Sequence, residues 1–575
     1  MKKANTSRFI LFSWIVFICG YLLVGLECIE RLPLYSSSRP HIVVIIADDL
    51  GWNDVSFHGA DQIPTPNIDA LAYNGVILQR HYVLPTCTPS RTAFLTGRYP
   101  IREGMQSFPL RTGEQRAIPK ERKLLPEYLK DLGYSTHLVG KWHVGYYAPQ
   151  YTPTKRGFDT FFGYYNGYVD YLNHTVSEDP ESHAHIGNDL HRDKLEKLSP
   201  EFATGYLTDL ITEEAEKTIS MHNPARPLYL QVAHLAAHAT GIDGEELQVR
   251  DSDDLNLTFG YIKDIKRRAY AGVVAALDES VGRIADALRK ADMLKNSIIL
   301  FMSDNGAQTE GLLQNYGSNY PLRGLKFTMY EGGVRGVACI YSPLIRKTST
   351  VSDQLIHITD WLPTLYSAAR GNARRLKNLD GVDQWDAIRS GKSSIRDRLL
   401  VNIDDDVGEE SAIIGRYKLV KRTNTNYGNF YGDDGEDDSY PKYEPSDVRS
   451  SLAASAISTV SSGWLREGKI TKLRRSSKVS CQRSTHFANC TESCCLFDIY
   501  ADPCETVDIS ALYPKIVADL RNYVNGYRKV VVNQTNYSVE PASYPENFDG
   551  TWMPWLKDED YFEDDDDDYN VAYQI

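Results

Sequence analysis

The stretch His41-Ile42-Val43-Val44-Ile45-Ile46-Ala47-Asp48-Asp49 is a short apolar run, rich in β-branched residues and closed by two carboxylates. An uninterrupted apolar run, in place of an alternating one, predicts a strand buried on both faces, as in parallel sheets covered by helices. Two further runs repeat the pattern: residues 136–139 end at Gly140-Lys141-Trp142-His143, and residues 297–302 end at Ser303-Asp304-Asn305-Gly306. Helical periodicity fills the intervals over residues 66–75, 124–132, 208–222 and 265–294, the last with apolar positions at Ala269, Val273, Ala276, Val281, Ile284 and Leu288. Strands alternating with helices give an α/β class, a large mixed, mostly parallel sheet flanked by helices. Ligands of such sheets collect at the carboxyl ends of the strands, so the three polar clusters are expected to meet in one crevice.

A chain of 575 residues is too long for one ordinary core. The texture changes near Leu399, where residues 415–420 read as a strand of a smaller, partly antiparallel α+β domain. The expected division is 38–398 for the catalytic body, 399–540 for the C-terminal domain and 541–575 for an acidic tail. Residues 1–28 carry Lys2, Lys3 and Arg8 ahead of an uncharged run from Phe9 to Leu26, the pattern of a secretory signal, cleaved or retained as an anchor. Stable membrane association is expected only if that signal is retained. Cys481, Cys490, Cys494, Cys495 and Cys504 crowd one short stretch and read as a disulfide cluster of open connectivity, in preference to a zinc site lacking paired C-x-x-C spacings. Cys339, in an apolar run, reads as a buried thiol. Sequons at Asn173, Asn256, Asn489, Asn533 and Asn536 agree with export. A formal net charge of -13 without a basic patch argues against nucleic acid as a partner.

Cys87 belongs to neither cysteine group, and taken alone it would be a disulfide half or a buried thiol. Asp48-Asp49 alone is a helix cap, and Asp304-Asn305-Gly306 alone a turn. Together the two pairs offer hard oxygen donors suited to Ca²⁺.

The string Cys87-Thr88-Pro89-Ser90-Arg91-Thr92-Ala93-Phe94-Leu95-Thr96-Gly97-Arg98 resembles the signature by which type I sulfatases are recognised by the formylglycine-generating enzyme. The resemblance implies an alkaline-phosphatase-like fold, conversion of Cys87 to a formylglycine whose hydrate carries two hydroxyls on one carbon, and one Ca²⁺. It assigns Asp48, Asp49, Asp304 and Asn305, with the modified Cys87, to the metal. Arg91 falls one helical turn beyond Cys87 and would hold the aldehyde hydrate. Lys141 and Lys326 match sulfate-binding lysines. His143 matches the base that takes the proton of the second hydroxyl, and His238 the acid that protonates the leaving oxygen. In extended geometry Lys141 and His143 would point the same way. His234 competes with His238, because the family usually places a proline two residues after this histidine, where the chain has Thr240.

Gly51-Trp52-Asn53-Asp54-Val55, Phe57-His58-Gly59 and residues 65–72 resemble the arylsulfatase B branch, which includes N-acetylgalactosamine-4-sulfatase and the arylsulfatase I and J group. That branch carries a cysteine pair between positions equivalent to Gln106 and Lys123, where this chain has none, so the rim of the pocket is expected to differ. The implied substrate is a sulfated carbohydrate, 4-sulfated N-acetylgalactosamine of dermatan or chondroitin sulfate, and the implied destination lysosomal or secreted. Alternatives are another aryl sulfatase, a phosphoester or phosphonate hydrolase of the same superfamily, and a catalytically silent carbohydrate-binding protein.

Overall fold

The computed structural model describes residues 39–179, 184–195, 197–240, 247–421, 431–461, 465–481, 487–491, 493–534 and 538–557. The signal of residues 1–28, the sequon at Asn536 and the acidic run after residue 557 lie outside the described residues.

Nine strands form the large sheet: β1 (His41–Ala47), β2 (Val76–Leu78), β3 (Ser135–Lys141), β4 (Thr160–Tyr164), β5 (His191–Lys194), β6 (Leu228–Ala233), β7 (Ser297–Ser303), β8 (Ala338–Tyr341) and β9 (Thr350–Ser352). Their spatial order is β9-β2-β8-β7-β1-β6-β3-β4-β5. The central five, β7-β1-β6-β3-β4, run parallel, and β8 and β5 pair antiparallel on either side. The apolar run of β1 accounts for its central place. Val43, Ile45 and Ala47 enter one hydrophobic layer and Ile42, Val44 and Ile46 the other, all at most 1% exposed. Truncating one such side chain, for example Ile45→Ala, costs about 2–5 kcal/mol through lost burial and the cavity left behind.

Helices cover both faces. On the first lie α1 (Pro66–Asn74), α3 (Leu207–Met221) and α4 (Ile265–Lys290), the last burying Val273, Leu277, Val281, Ile284 and Leu288 along one stripe. On the second lies α2 (Cys87–Thr96), through Ala93, Phe94 and Leu95.

A second, antiparallel sheet follows in the order β10 (Arg398–Asp404), β11 (Glu409–Ile414), β12 (Tyr417–Lys421) and β13 (Cys494–Asp498). The strand expected over 415–420 starts at Tyr417, because Gly415, at φ 60°, and Arg416 form the turn that joins β11 to β12. One face of this sheet packs on α7 (Pro514–Arg528) through Leu520 and Val524, and the other meets Tyr330 and Val334 of the large body. Between β12 and β13 the chain returns to the large sheet, where α5 (Leu452–Ser458) and α6 (Glu467–Ser477) add Ala453, Ala456, Ile457, Ile470 and Leu473 to its first layer. Disulfides join Cys481 to Cys504 and Cys490 to Cys495, while Cys339 and Cys494 are buried free thiols. Among the described residues no helix is long and apolar enough to cross a membrane.

Candidate active site

The parallel strands deliver their polar ends to one place. Asp48 and Asp49 follow β1, Lys141 ends β3, His238 follows β6, and Asp304 and Asn305 follow β7; all six are at most 2% exposed. Two neighbouring segments complete the cluster, the amino end of α2 with Cys87 and Arg91, and the turn holding Lys326.

Opposite charges pair within it. Lys141 Nζ lies 2.5 Å from Asp48 Oδ2, Lys326 Nζ 2.8 Å from Asp49 Oδ2, and Arg91 donates through Nε and Nη2 to Asp304 Oδ2 at 3.1 and 2.8 Å. Arg91 Nη2 also approaches Asp48 Oδ2 at 3.7 Å. Three carboxylates thus face three cations in a volume shielded from water, where each pairing counts for far more than on a surface. Asn305 donates to Asp49 Oδ1 at 2.6 Å, and Asn315 ties the backbone carbonyls of Asp49 and Ala237 together at 2.9 and 3.0 Å.

Cys87 is the first residue of α2, so its sulfur sits at the positive end of the helix dipole. His143 Nδ1 is 3.3 Å from that sulfur, and His143 Nε2 is 2.9 Å from the Leu110 carbonyl. The carbonyl can only accept, so Nε2 carries the proton and Nδ1 turns its lone pair to Cys87. Thr88 Oγ1 closes the arrangement, donating to the His143 carbonyl and accepting from Leu110 N. Burial, reinforced by Lys141, keeps the His143 pKa well below the usual histidine range, and burial outweighs the nearby lysines to raise that of the Cys87 thiol. The extended geometry expected for Lys141 to His143 does not hold. The strand ends at Lys141 and His143 adopts a left-handed φ of 54°, held by its N–H donating to the Tyr165 carbonyl, and this turn brings the ring to Cys87.

The competition between the two histidines is decided by position. His234 bonds Ser280 Oγ of α4 at 2.9 Å, on the helix-covered face. His238 places Nε2 3.1 Å from Lys326 Nζ and 3.6 Å from Asp49 Oδ2. Its Nδ1 lies 2.5 Å from the Ala239 carbonyl, which accepts the ring proton and leaves the Nε2 lone pair facing the cluster. Burial first, then Lys326, depresses its pKa to about 3. Tyr168 stacks against it at 5.8 Å with the planes 8° apart.

The donor set fits a hard divalent cation. Among the described residues Asp48 Oδ1 and Asn305 Oδ1 are buried with no hydrogen-bond partner, a costly state for oxygens in a site this rich in donors, and Asp48, Asp49 and His238 bring donor atoms within 4.8 Å of one another. Oxygen donors in that number match Ca²⁺ better than a softer metal.

This constellation of helix-opening cysteine, paired strand-end carboxylates, two lysines and two histidines coincides with a match of residues 40–371 to the sulfatase family. The chain belongs to the sulfatase family. This sulfatase is 36% identical to mouse arylsulfatase J over 544 residues, covering 91% of this chain and 81% of the relative. It is 32% identical to mouse N-acetylgalactosamine-6-sulfatase over 383 residues, with 64% and 70% covered. Among solved structures, that of Ps i-CgsB in complex with k-i-k-neocarrahexaose superposes with a TM-score of 0.66 at 24% identity, covering 88% of this chain and 96% of that one, which shows the shared fold. The sulfatase is therefore a sulfuric ester hydrolase by family.

Several residues of the site carry no local sequence signal. Leu110, Asn315 and Tyr168 act through contacts between distant segments. The rim stretch that lacks the cysteine pair of arylsulfatase B is held another way. Gln106 Nε2 donates to the Val532 carbonyl at 2.9 Å, Ser107 N to Gln534 Oε1 at 3.1 Å, and Glu540 N to the Gly113 carbonyl at 3.0 Å, so a segment from beyond the second sheet clamps the rim.

Proposed function

We propose that this sulfatase cleaves a sulfate monoester of a terminal sulfated sugar, N-acetylgalactosamine 4-sulfate of dermatan or chondroitin sulfate, with Cys87 matured to formylglycine. The observation that carries the catalytic reading is the His143 lone pair aimed at Cys87 inside the cluster of three carboxylates and three cations. Formylglycine at position 87 would supply two hydroxyls on one carbon, one to attack sulfur and one whose deprotonation releases sulfate, and Asp48, Asp49, Asp304, Asn305 and the modified Cys87 would hold a Ca²⁺ that would supply Lewis-acid polarisation of the sulfate oxygens. The chain's own groups do the rest. Lys141 and Lys326 hold the sulfate oxygens, and Arg91 fixes the nucleophile at the amino end of α2. His143 Nδ1 receives the hydroxyl proton, for which its lone pair is already oriented. His238 Nε2 takes up a proton once the bound sulfate anion offsets the burial and the Lys326 charge that keep the ring neutral, and hands that proton to the departing sugar oxygen.

The sugar itself is supported by the motifs shared with the arylsulfatase B branch and by the relative named N-acetylgalactosamine-6-sulfatase, while the 4-position rests on the shared motifs alone. On this reading the chain is matured by the formylglycine-generating enzyme in the secretory pathway and goes on to a lysosomal or secreted destination. Its two disulfides and the exposed side chains of Asn173, Asn256, Asn489 and Asn533 support that route. The test compares hydrolysis of a 4-sulfated disaccharide, its 6-sulfated isomer, an aryl sulfate and an aryl phosphate. Preferred turnover of the 4-sulfate is expected. Turnover of the aryl sulfate without either disaccharide contradicts the sugar reading, and faster cleavage of the phosphate contradicts the reaction class.

A further inference from the structure

Phe108 is 55% exposed and Phe327 half-buried, with ring centroids 6.0 Å apart and planes inclined by 45°. Neither ring joins any of the hydrophobic core layers of the described residues. An exposed aromatic pair with no core role marks a recognition surface when polar catalytic groups adjoin it. Here both rings hang from backbone that also builds the site. Phe327 directly follows Lys326, whose Nζ is 5.7 Å from the centre of its ring, and its N–H donates to the Pro85 carbonyl two residues before Cys87. Phe108 lies two residues before Leu110, whose carbonyl holds His143.

The rim carrying Phe108 is fixed before any ligand arrives. Beyond the clamp on Gln106 and Ser107, Asn402 Nδ2 donates to the Gln106 carbonyl at 2.7 Å and Arg116 Nη2 to the Phe108 carbonyl at 3.1 Å. Ordering such a ring in advance lowers the entropy cost of using it for binding.

We propose that Phe108 and Phe327 form an aromatic wall against which the C–H face of the pyranose carrying the scissile sulfate stacks, and that Phe108 sets the preference of the site for cyclic sugar sulfates. This rests on the reading of the site as a sulfated-sugar hydrolase. The sulfate is held by charge at Lys141 and Lys326, and a pyranose has one face of apolar C–H groups. Phe327, half-buried beside Lys326, and the exposed Phe108 against it therefore offer that face its contact while the hydroxyls stay in water. An open-chain alkyl sulfate presents no such face and gains little from the wall.

The experiment uses full-length protein from a secretory host and three probes, a 4-sulfated disaccharide, an aryl sulfate and a linear alkyl sulfate. Phe108→Ala is expected to raise KM for the disaccharide about tenfold, the scale of one aromatic contact, with kcat little changed. Alkyl sulfate hydrolysis should stay at the wild-type level, and Phe108→Trp should restore the disaccharide KM. Because Phe108 is solvent-exposed, the unfolding midpoint of both variants should match the wild type. An unchanged disaccharide KM in Phe108→Ala, or equal losses on all three probes, overturns the wall. Wild-type protein that cleaves the aryl sulfate but not the disaccharide overturns the underlying sugar reading instead.

Discussion

His143 Nδ1 lies 3.3 Å from the sulfur of Cys87, with the opposite ring nitrogen locked on the Leu110 carbonyl. The bond to Leu110 fixes both the tautomer and the direction of the lone pair. His143→Ala should lower kcat by about 10²–10⁴-fold, the usual worth of a positioned acid–base group, in protein that still folds. Gly167→Ala gives a finer check, since a Cβ there would lie 2.9 Å from ring atoms of His143 and must displace it. A steady-state assay should show lowered kcat in the folded variant; unchanged kcat in both variants excludes His143 as the base.

The Arg91–Asp304 pair is structural as well as electrostatic, since Arg91 is 3% and Asp304 1% exposed. Arg91→Ala strands a buried carboxylate and should cost about 3–5 kcal/mol in a denaturant titration. Arg91→Lys keeps the charge but loses the two-pronged contact, so stability should recover in part while activity does not.

Binding of a divalent cation at Asp48, Asp49, Asp304 and Asn305 stabilises only the folded chain. Saturating Ca²⁺ at about a thousand times its dissociation constant should add about 4 kcal/mol, read as a rise in the unfolding midpoint that chelation reverses. Asp48→Asn should blunt the rise. A midpoint indifferent to Ca²⁺ and chelator would dismiss the metal assignment.

Two carboxyls remote from the site contribute stability that falls as pH rises. Burial, opposed by a hydrogen bond from Tyr443, raises the Asp69 pKa to about 8, and burial raises that of Asp278 to about 6. Both carboxyls are more easily kept neutral in the fold than in the unfolded chain. Their stabilisation is therefore complete below about pH 4, the unfolded value, and is lost as pH climbs through 6 and 8. Measured from pH 6 to 8, the unfolding midpoint of the wild type should fall relative to that of Asp69→Asn.

The sheet was legible where strands are buried on both faces. β1, β3 and β7 stand out as apolar runs, and their closing residues reach the site because parallel strands end on one side. β2, β8 and β9 are three or four residues long, too short for periodicity to distinguish them from loops. The return of α5 and α6 to the large sheet is set by partners hundreds of residues earlier, such as Asn67, whose side chain accepts from Ala453 N. Within the site, Cys87, Lys141 and His238 announce themselves through motifs and strand ends. Leu110 does not, because a backbone carbonyl leaves no mark in sequence. The left-handed turn at His143 was equally hidden, since no glycine or asparagine occupies that position.

The account stands on what Cys87 becomes. Mass spectrometry of the peptide spanning residue 87, from protein exported through the secretory pathway, should show an aldehyde in place of the thiol, together with hydrolysis of sulfate esters that Cys87→Ala abolishes in an otherwise folded protein. An intact cysteine thiol in protein that nevertheless turns over sulfate esters at full rate would contradict it.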